Sequence, residues 1–282
     1  MLEVINRMEF RAFVYDEDSE SVVDMHRCAE VLEGSWFDAA HTCKANAKIV
    51  AKTPGSSWVV AYDSMVFAHA DLIKINDTDA IISGWRVHED YHHPLVCKKL
   101  FDGVCNKARE RGYKNLLIYA DNHKVDESMS KLLLKEDRNY SWVNIADLET
   151  GMILPHERAM IHPDEIIDSQ LLPFLGSPLP PSFILNRAYM AADYKVFSHT
   201  RPQTFAINSG IKTYIACHDG REWHIFRKGD FKGEAQIILS LLKTISTLTN
   251  GPSRIMLSTK ALETTNLTPS HNGVLKDYYV SL

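Results

Sequence analysis

Apolar residues in the first half of the chain switch between two spacings, short continuous or alternating runs and a repeat of three to four residues. The short runs predict strands over Glu9–Tyr15, Trp58–Tyr62, Met65–Asn76, Ala80–Val87, Asn115–Ala120 and Tyr140–Ala146. The longer repeat predicts helices after residues 16–19, over Phe37–Ala51, from Pro94 to a C′ glycine at Gly112, and around Met129–Leu134. The order β-α-α-β-β-β-α-β-α-β, with three strands in a meander, predicts a mixed α/β (α+β) domain with a mainly antiparallel sheet.

The second half repeats this order in a shorter form. Prolines gather between residues 151 and 181, which predicts a linker that packs on a surface. Beyond it the pattern predicts strands Tyr194–Ser198, Thr204–Ile207, Lys212–His218 and Trp223–Arg227, a helix Gly233–Thr249 and a strand Arg254–Ser258. We therefore expect domains at residues 1–150 and 182–282, joined by the linker 151–181, although no residue-level repeat proves a duplication.

Composition narrows the functional classes. A net charge of -5 without a basic run argues against a nucleic-acid partner. No apolar run approaches the roughly 20 residues that span a bilayer, and the N-terminus does not resemble a signal peptide, so a cytoplasmic location without membrane binding is expected. The five cysteines form no CxxC pair, so we expect free thiols. Residues 88–92 read His-Glu-Asp-Tyr-His and have the HExxH spacing, but they follow a predicted strand rather than lying within a predicted helix, so we expect no metal site.

The most informative segment is the junction between the strand that ends at Val87 and the helix that begins at Pro94. A helix N-terminus offers unpaired backbone amides and a partial positive charge, so this junction is a candidate anion site. The groups that could hold a phosphate are the amides of Leu95, Val96 and Cys97, the amines of Lys98 and Lys99, and the rings of His92 and His93. In the alternative interpretation the histidines are merely exposed and the lysines lie on a solvated helix face.

Residues 9–147 resemble the GNAT superfamily of N-acetyltransferases, which use acetyl-CoA as co-substrate. The resemblance is closest at residues 84–91, where Val87, His88 and Tyr91 match the end of the family's fourth strand. Residues 108–113 resemble the end of the helix that precedes the family's fifth strand. The resemblance implies a GNAT-like, mainly antiparallel sheet flanked by helices, with a second, smaller GNAT-like α/β domain.

The resemblance also implies where the co-substrate lies. The pantetheine arm would run between the fourth and fifth strands, along the backbone of Trp85, Arg86 and Val87, with Asn122 bonding to it. The family's phosphate loop uses glycines so that successive amides converge on the pyrophosphate. This chain has the bulkier residues 93–97 in that place, and Pro94 removes one donor.

The chemistry implied by the resemblance is direct acyl transfer, in which a base removes a proton from the attacking amine. The carboxylate that the family often carries on its fourth strand is absent, and residues 129–135 contain no tyrosine to act as an acid. His69 and Asp71 share one face of the third strand and are the candidate base pair, with Glu89 as a second candidate. Alternatively, His69 and Asp71 are an edge pair exposed to water.

Two functions stay open at this point. The first is an N-acetyltransferase for a primary amine, with a small molecule or amino acid preferred over a protein amine. The second is a catalytically silent GNAT-fold protein that binds a ligand or partner. Trp36, Phe37 and Trp58 are candidates for an apolar acceptor wall or for core positions. A hydrolase has little support because GxSxG is absent. The oligomeric state is open, with a homodimer among the possibilities.

Overall fold

A computed structural model describes residues 2–29, 56–120, 135–146, 148–159, 171–176, 179–186, 203–218, 222–228, 235–248, 254–270 and 274–282. Contacts divide the chain into two compact units, which are unit 1, Met1–Asp137 with Leu275–Leu282, and unit 2, Arg138–Val274. The described residues exclude the predicted helices Phe37–Ala51 and Met129–Leu134, the predicted strand Tyr194–Ser198, and Trp36, Phe37 and Asn122.

The strands are β1 Glu9–Ala12, β2 Ser57–Tyr62, β3 Met65–Lys74, β4 Asp79–Val87, β5 Asn115–Ala120, β6 Lys135–Asn144, β7 His156–Arg158, β8 Leu171–Leu175, β9 Gln203–Ser209, β10 Lys212–His218, β11 Trp223–Lys228, β12 Arg254–Ser258 and β13 Val274–Ser281. The helices are α1 Leu2–Arg7, α2 Tyr15–Ala29, α3 Pro94–Glu110, α4 Ala235–Ser246 and α5 Thr259–Thr265. Residues 181–186 are also helical. None of the helices in the described ranges is long and apolar enough to cross a membrane.

The sheet of unit 1 has the order β1-β2-β3-β4-β5-β13. Among the described strands of this sheet, β4 and β5 pair parallel and the other neighbours pair antiparallel. The predicted meander is confirmed by the antiparallel pairing of β2, β3 and β4. β13 was not predicted, and it pairs with β5 from Lys276–Ala120 to Ser281–Asn115. A strand from the distant end of the chain therefore continues this sheet beyond β5.

Helix α3 packs its apolar face on the unit 1 sheet. Its buried residues are Val96, Cys97, Leu100, Phe101, Val104, Cys105 and Ala108. Gly103 allows a close approach, because a Cβ there would lie 2.5 Å from the ring of Phe10. The predicted C′ glycine is confirmed, since Gly112 follows the C-cap Arg111 with a φ of 82°.

Helix α2 lies against the opposite face, where Val22 and Met25 pack on β2 and β3. The predicted first strand is too long at its end, because Tyr15 already belongs to α2. The physical reason is the buried Asp18 carboxylate, which accepts hydrogen bonds from the Val14 amide at 2.8 Å and from the Arg11 guanidinium at 2.7 Å. These bonds turn the chain into the helix immediately after β1.

The sheet of unit 2 has the order β6-β12-β11-β10-β9-β7, and β8 pairs with β11. Its β11–β12 pair is parallel, and α4 connects these two strands. Unit 2 thus repeats the meander, helix and parallel strand of unit 1, as the sequence predicted. The strands Lys212–His218 and Arg254–Ser258 have the predicted bounds.

The predicted division at residues 150 and 182 differs from the compact units. The strand expected to close the first domain is β6, which pairs with β12 of unit 2 from Asn144–Arg254 to Tyr140–Ser258. The expected linker 151–181 contains β7 and β8, which pair with β9 and β11. The linker prediction was wrong for Leu171–Leu175 because Leu171 and Leu175 bury their side chains in unit 2, which the proline content concealed.

Candidate functional site

The two parallel strands at the centre of unit 1 part along their length. β4 and β5 pair from Asp79–Asn115 to Ile82–Ile118. β4 then continues to Val87 and β5 to Ala120 without further mutual pairing among the described residues. On its other edge β4 stays paired with β3 as far as Val87. The backbone of residues 83–87 therefore borders a gap on the β5 side, as the resemblance implied.

The start of α3 lies just beyond this gap, after the 3₁₀ turn Glu89–Tyr91. His93 is the N-cap of α3, and its Nδ1 accepts a hydrogen bond from the Leu95 amide at 3.2 Å. The His93 carbonyl accepts from the amides of Val96 at 2.9 Å and Cys97 at 3.2 Å. The three amides proposed as phosphate donors thus have internal partners, so an anion would have to compete with His93 for the Leu95 amide.

The side chains at the start of α3 divide between core and surface. Val96 and Cys97 are buried under the helix, whereas His92 and Leu95 are exposed. Lys98 pairs with Asp102 one turn later on the exposed face.

Lys99, the other lysine of this turn, donates to the carbonyl of Met8, which precedes β1. Both lysines therefore direct their amines to groups within the protein.

The end of β4 is held by aromatic packing. Trp85 is buried and meets Phe101 of α3 edge to face, with ring centroids 6.4 Å apart. Tyr91 packs its ring on Phe67 of β3 at 4.6 Å. Arg86 is half-buried on the opposite sheet face from Trp85, and Val87 packs on the unit 1 core. These contacts fix the backbone that borders the gap.

Glu89, the second candidate base, is exposed in the 3₁₀ turn at the end of β4. The described contacts do not include a bond between its carboxylate and another side chain of this region.

His69 and Asp71 form a buried pair rather than an exposed one. The His69 Nε2 lies 3.2 Å from the Asp71 Oδ1 and 2.9 Å from the Ser57 Oγ. All three residues are buried, with exposed fractions of 4%, 2% and 4% for His69, Asp71 and Ser57. β3 pairs His69 with Arg86 of β4, so the imidazole lies one strand away from the gap-bordering backbone. The prediction of an edge pair in water was wrong.

Solved structures resemble the chain over nearly its whole length. A provisionally named acetyltransferase from Thermoplasma acidophilum matches with a TM-score of 0.58 and 12% identity, covering 97% of this chain and 100% of that one. A similar protein from Pyrococcus horikoshii matches with a TM-score of 0.55 and 11% identity, covering 98% and 90%. A GCN5-related N-acetyltransferase from Anabaena variabilis matches with a TM-score of 0.57 and 9% identity, covering 98% and 73%.

The chain has the GCN5-related N-acetyltransferase fold. At these identities the likeness establishes the fold, which confirms the fold that the resemblance implied. Neither the family models nor the curated proteins contain a match to this sequence.

Besides β7 and β13, sequence reasoning missed Ser57 and the strand β8. Ser57 was not considered, since it opens β2 in an unremarkable apolar run, and only the pairing of Ser57 with Asp71 brings it to His69. β8 was hidden within the proline-rich segment, and its Leu-Leu-Pro-Phe-Leu run is the signal that could have found it. Among the described residues, no group of three or more histidine, cysteine or acidic side chains is arranged to hold a metal ion.

Proposed function

We propose that unit 1 binds an acyl-CoA, with acetyl-CoA as the preferred form, and transfers the acyl group to a primary amine. The observation that carries this proposal is the parting of β4 and β5 beyond Ile82 and Ile118. A gap between two strands suits an extended ligand that pairs with a strand edge, in the manner of an added strand. The amide groups of pantetheine suit this pairing.

The reaction is a substitution at the thioester carbonyl. The amine nitrogen attacks the carbonyl carbon, the new carbon–nitrogen bond forms, and the carbon–sulfur bond breaks. One proton leaves the amine, and the thiolate takes up a proton to give free CoA. An amide on the gap-facing edge of β4 would stabilise the oxyanion.

His69 is our candidate for the base, acting through water. Ser57 positions its ring through a hydrogen bond at Nε2, and the Asp71 carboxylate lies 3.2 Å from the same nitrogen. The exposed Glu89 at the end of β4 is the alternative base. A small amine is the preferred acceptor, and a protein amine comes second.

A second function is favoured by a different observation. The Leu95, Val96 and Cys97 amides already have partners, and the amines of Lys98 and Lys99 are directed to Asp102 and Met8. These contacts favour a binding protein that keeps the fold without catalysis. Its ligand would occupy the same gap, and no acyl group would be transferred.

Binding and turnover are tested on the full chain. Acetyl-CoA at about 100 times its Kd stabilises a binding protein by about 2.7 kcal/mol, so the Tm should rise by several degrees. Free thiol released from acetyl-CoA is then followed across a panel of small amines and peptides. A Tm shift with amine-dependent thiol release supports the transferase.

The other outcomes separate the alternatives. A Tm shift without thiol release supports the silent binding protein. A Tm that does not move with millimolar acetyl-CoA refutes the transferase and also refutes acyl-CoA as the ligand of a silent binding protein.

A further inference from the structure

In unit 2, a second pair of parallel strands separates at the position that corresponds to the gap of unit 1. Within the described ranges, β11 and β12 pair at Trp223–Ile255 alone. β11 then continues to Lys228 with its other edge paired to β10. By element order, β11 and β12 correspond to β4 and β5.

Strand β8 fills the space between these separating strands. β8 pairs antiparallel with β11 through Ile225–Leu175, Phe226–Pro173, Arg227–Leu172 and Lys228–Leu171. Because β10 holds the opposite edge of β11, β8 lies on the edge that faces β12. In unit 1, none of the described strands pairs with the corresponding edge of β4 beyond Ile82.

Gly176 anchors the end of β8 where the two strands begin to part. Its amide donates to the carbonyl of Met256 on β12 at 2.9 Å. A Cβ at Gly176 would lie 3.0 Å from both the His224 Nδ1 and the Trp223 carbonyl oxygen on β11, and its φ is +97°. Glycine is thus required for the backbone to enter between β11 and β12.

Apolar packing seats β8 in the same place. Leu171 and Leu175 are buried, and Leu175 belongs to the main hydrophobic core of unit 2. The Phe174 ring lies 5.4 Å from the ring of Tyr214, and the Arg227 guanidinium lies 5.8 Å from the Phe174 ring. The segment is therefore an integral strand of unit 2.

We infer that β8 is an internal occupant of the position that an acyl-CoA would take in unit 2, so the chain binds one acyl-CoA, in unit 1. The identity of the excluded ligand rests on the proposed function. The insertion of β8 between β11 and β12 rests only on the observed pairing of β8 with β11. Unit 2 accordingly contributes no second acyl-transfer site.

Hydrogen exchange of the full-length, ligand-free protein tests the filling first. The amides of residues 225–227 should exchange slowly whether they face β8 or β10, because β11 forms strand pairs with both. Amides of residues 85–87 on the gap-facing edge of β4 should exchange fast. Fast exchange on the β8-facing edge of β11 would overturn the inference, whether or not acetyl-CoA binds.

Acetyl-CoA is then added, and binding is measured by calorimetry and exchange together. One molecule per chain, with new protection in residues 85–87 and none in 225–227, supports the inference. Two molecules per chain, or new protection in residues 225–227, overturns it. Absence of all binding refutes the proposed function, and the ligand-free exchange pattern then decides the inference by itself.

A pair of glycine variants provides a matched control. Gly176→Ala and Gly210→Ala both place a Cβ at positive φ, but Gly210 has no atom within 4 Å of its Cβ position. We expect Gly176→Ala to speed exchange of the β8-facing amides by about tenfold or more, because it pushes β8 outward. Gly210→Ala should leave these amides unchanged. Equal effects of the two variants would count against the anchoring of β8 by Gly176.

Discussion

The imidazole of His69 and the carboxylate of Asp71 meet in the interior of unit 1, with Nε2 and Oδ1 3.2 Å apart. Residues two apart on one strand lie on the same face, so the chain brings them together without a turn. Ser57, paired with Asp71 across β2 and β3, adds its hydroxyl at 2.9 Å from Nε2. A buried imidazole with a hydroxyl and a carboxylate oxygen beside one ring nitrogen is suited to proton transfer at a fixed place.

Replacement of His69 tests this role. His69→Gln should lower the rate of amine-dependent CoA release by about 100-fold or more, since a general base contributes that much. The affinity for acetyl-CoA should be unchanged, because the ring lies on β3 rather than at the gap edge. His156→Gln, on the exposed edge strand β7, serves as the control. A lower Tm with an unchanged rate and pH profile would assign the pair a structural role.

The His93 cap yields a prediction in which stability and affinity move apart. His93→Ala should lower the free energy of unfolding by about 1 kcal/mol, because the Leu95 amide loses its acceptor. The same change should tighten acetyl-CoA binding several-fold, since the amide becomes available to phosphate. Thermal unfolding and calorimetry measure the two effects.

His93→Asn is the matched variant for the cap. Asparagine caps helices well, so stability and affinity should both stay close to the parent values. Weaker acetyl-CoA binding in His93→Ala would instead indicate that the His93 ring itself contacts the phosphate.

Gly103 tests the packing of α3 against β1. Alanine is normally the better helix former by about 1 kcal/mol. Here its Cβ would lie 2.5 Å from the Phe10 ring, which is stacked on Trp58 with centroids 5.2 Å apart. Gly103→Ala should therefore destabilise unit 1 by about 1–3 kcal/mol in denaturant unfolding. Adding Phe10→Ala should remove the penalty of the alanine, and a stabilising single variant would contradict this account.

Asp79 links the start of β4 to β5 in a pH-dependent way. Asn115 donates to its carboxylate at 2.6 Å and Asn76 at 2.7 Å, and these bonds, that of Asn115 first, lower the pKa of Asp79. Because the folded pKa lies below the unfolded one, the contribution to stability is present above about pH 4 and is lost as the pH falls further.

The measurement compares Asn115→Ala with the parent protein in denaturant at several pH values. The loss of stability should be largest near neutral pH and should shrink below about pH 4, where the unfolded carboxyl takes up its proton. Asn106→Ala, on the exposed face of α3, is the control and should show no such dependence. A pH-independent loss in Asn115→Ala would contradict the linkage.

The thiol of Cys105 should resist modification in the folded protein. Burial of the Cys105 side chain on the apolar face of α3 raises the pKa of its thiol to about 11, so almost no thiolate exists at pH 8. Iodoacetamide should label this residue only in denaturant, as measured by peptide mass spectrometry. Rapid labelling of the native protein would show that α3 opens locally.

Much of the secondary structure could be predicted because its signals are local. β5, β10 and β12 have the predicted bounds, and α3 begins at the predicted proline. The gap between β4 and β5 was expected only through the resemblance to the GNAT superfamily. The hydrogen bonds from the first α3 amides to His93 were not predicted. Either a ring nitrogen of His93 or a bound anion could accept hydrogen bonds from the N-terminal amides of a helix, and the sequence does not distinguish the two.

The sequence by itself determined the alternation of strands and helices, the meander in each half and the apolar face of α3, since these depend on the spacing of neighbouring residues. Only the tertiary structure decided which strands become neighbours. It placed β13 beside β5, brought Ser57 to His69, and inserted β8 between β11 and β12. The physical reason is that strand pairing joins residues far apart in the chain, and a strand's own sequence does not name its partner.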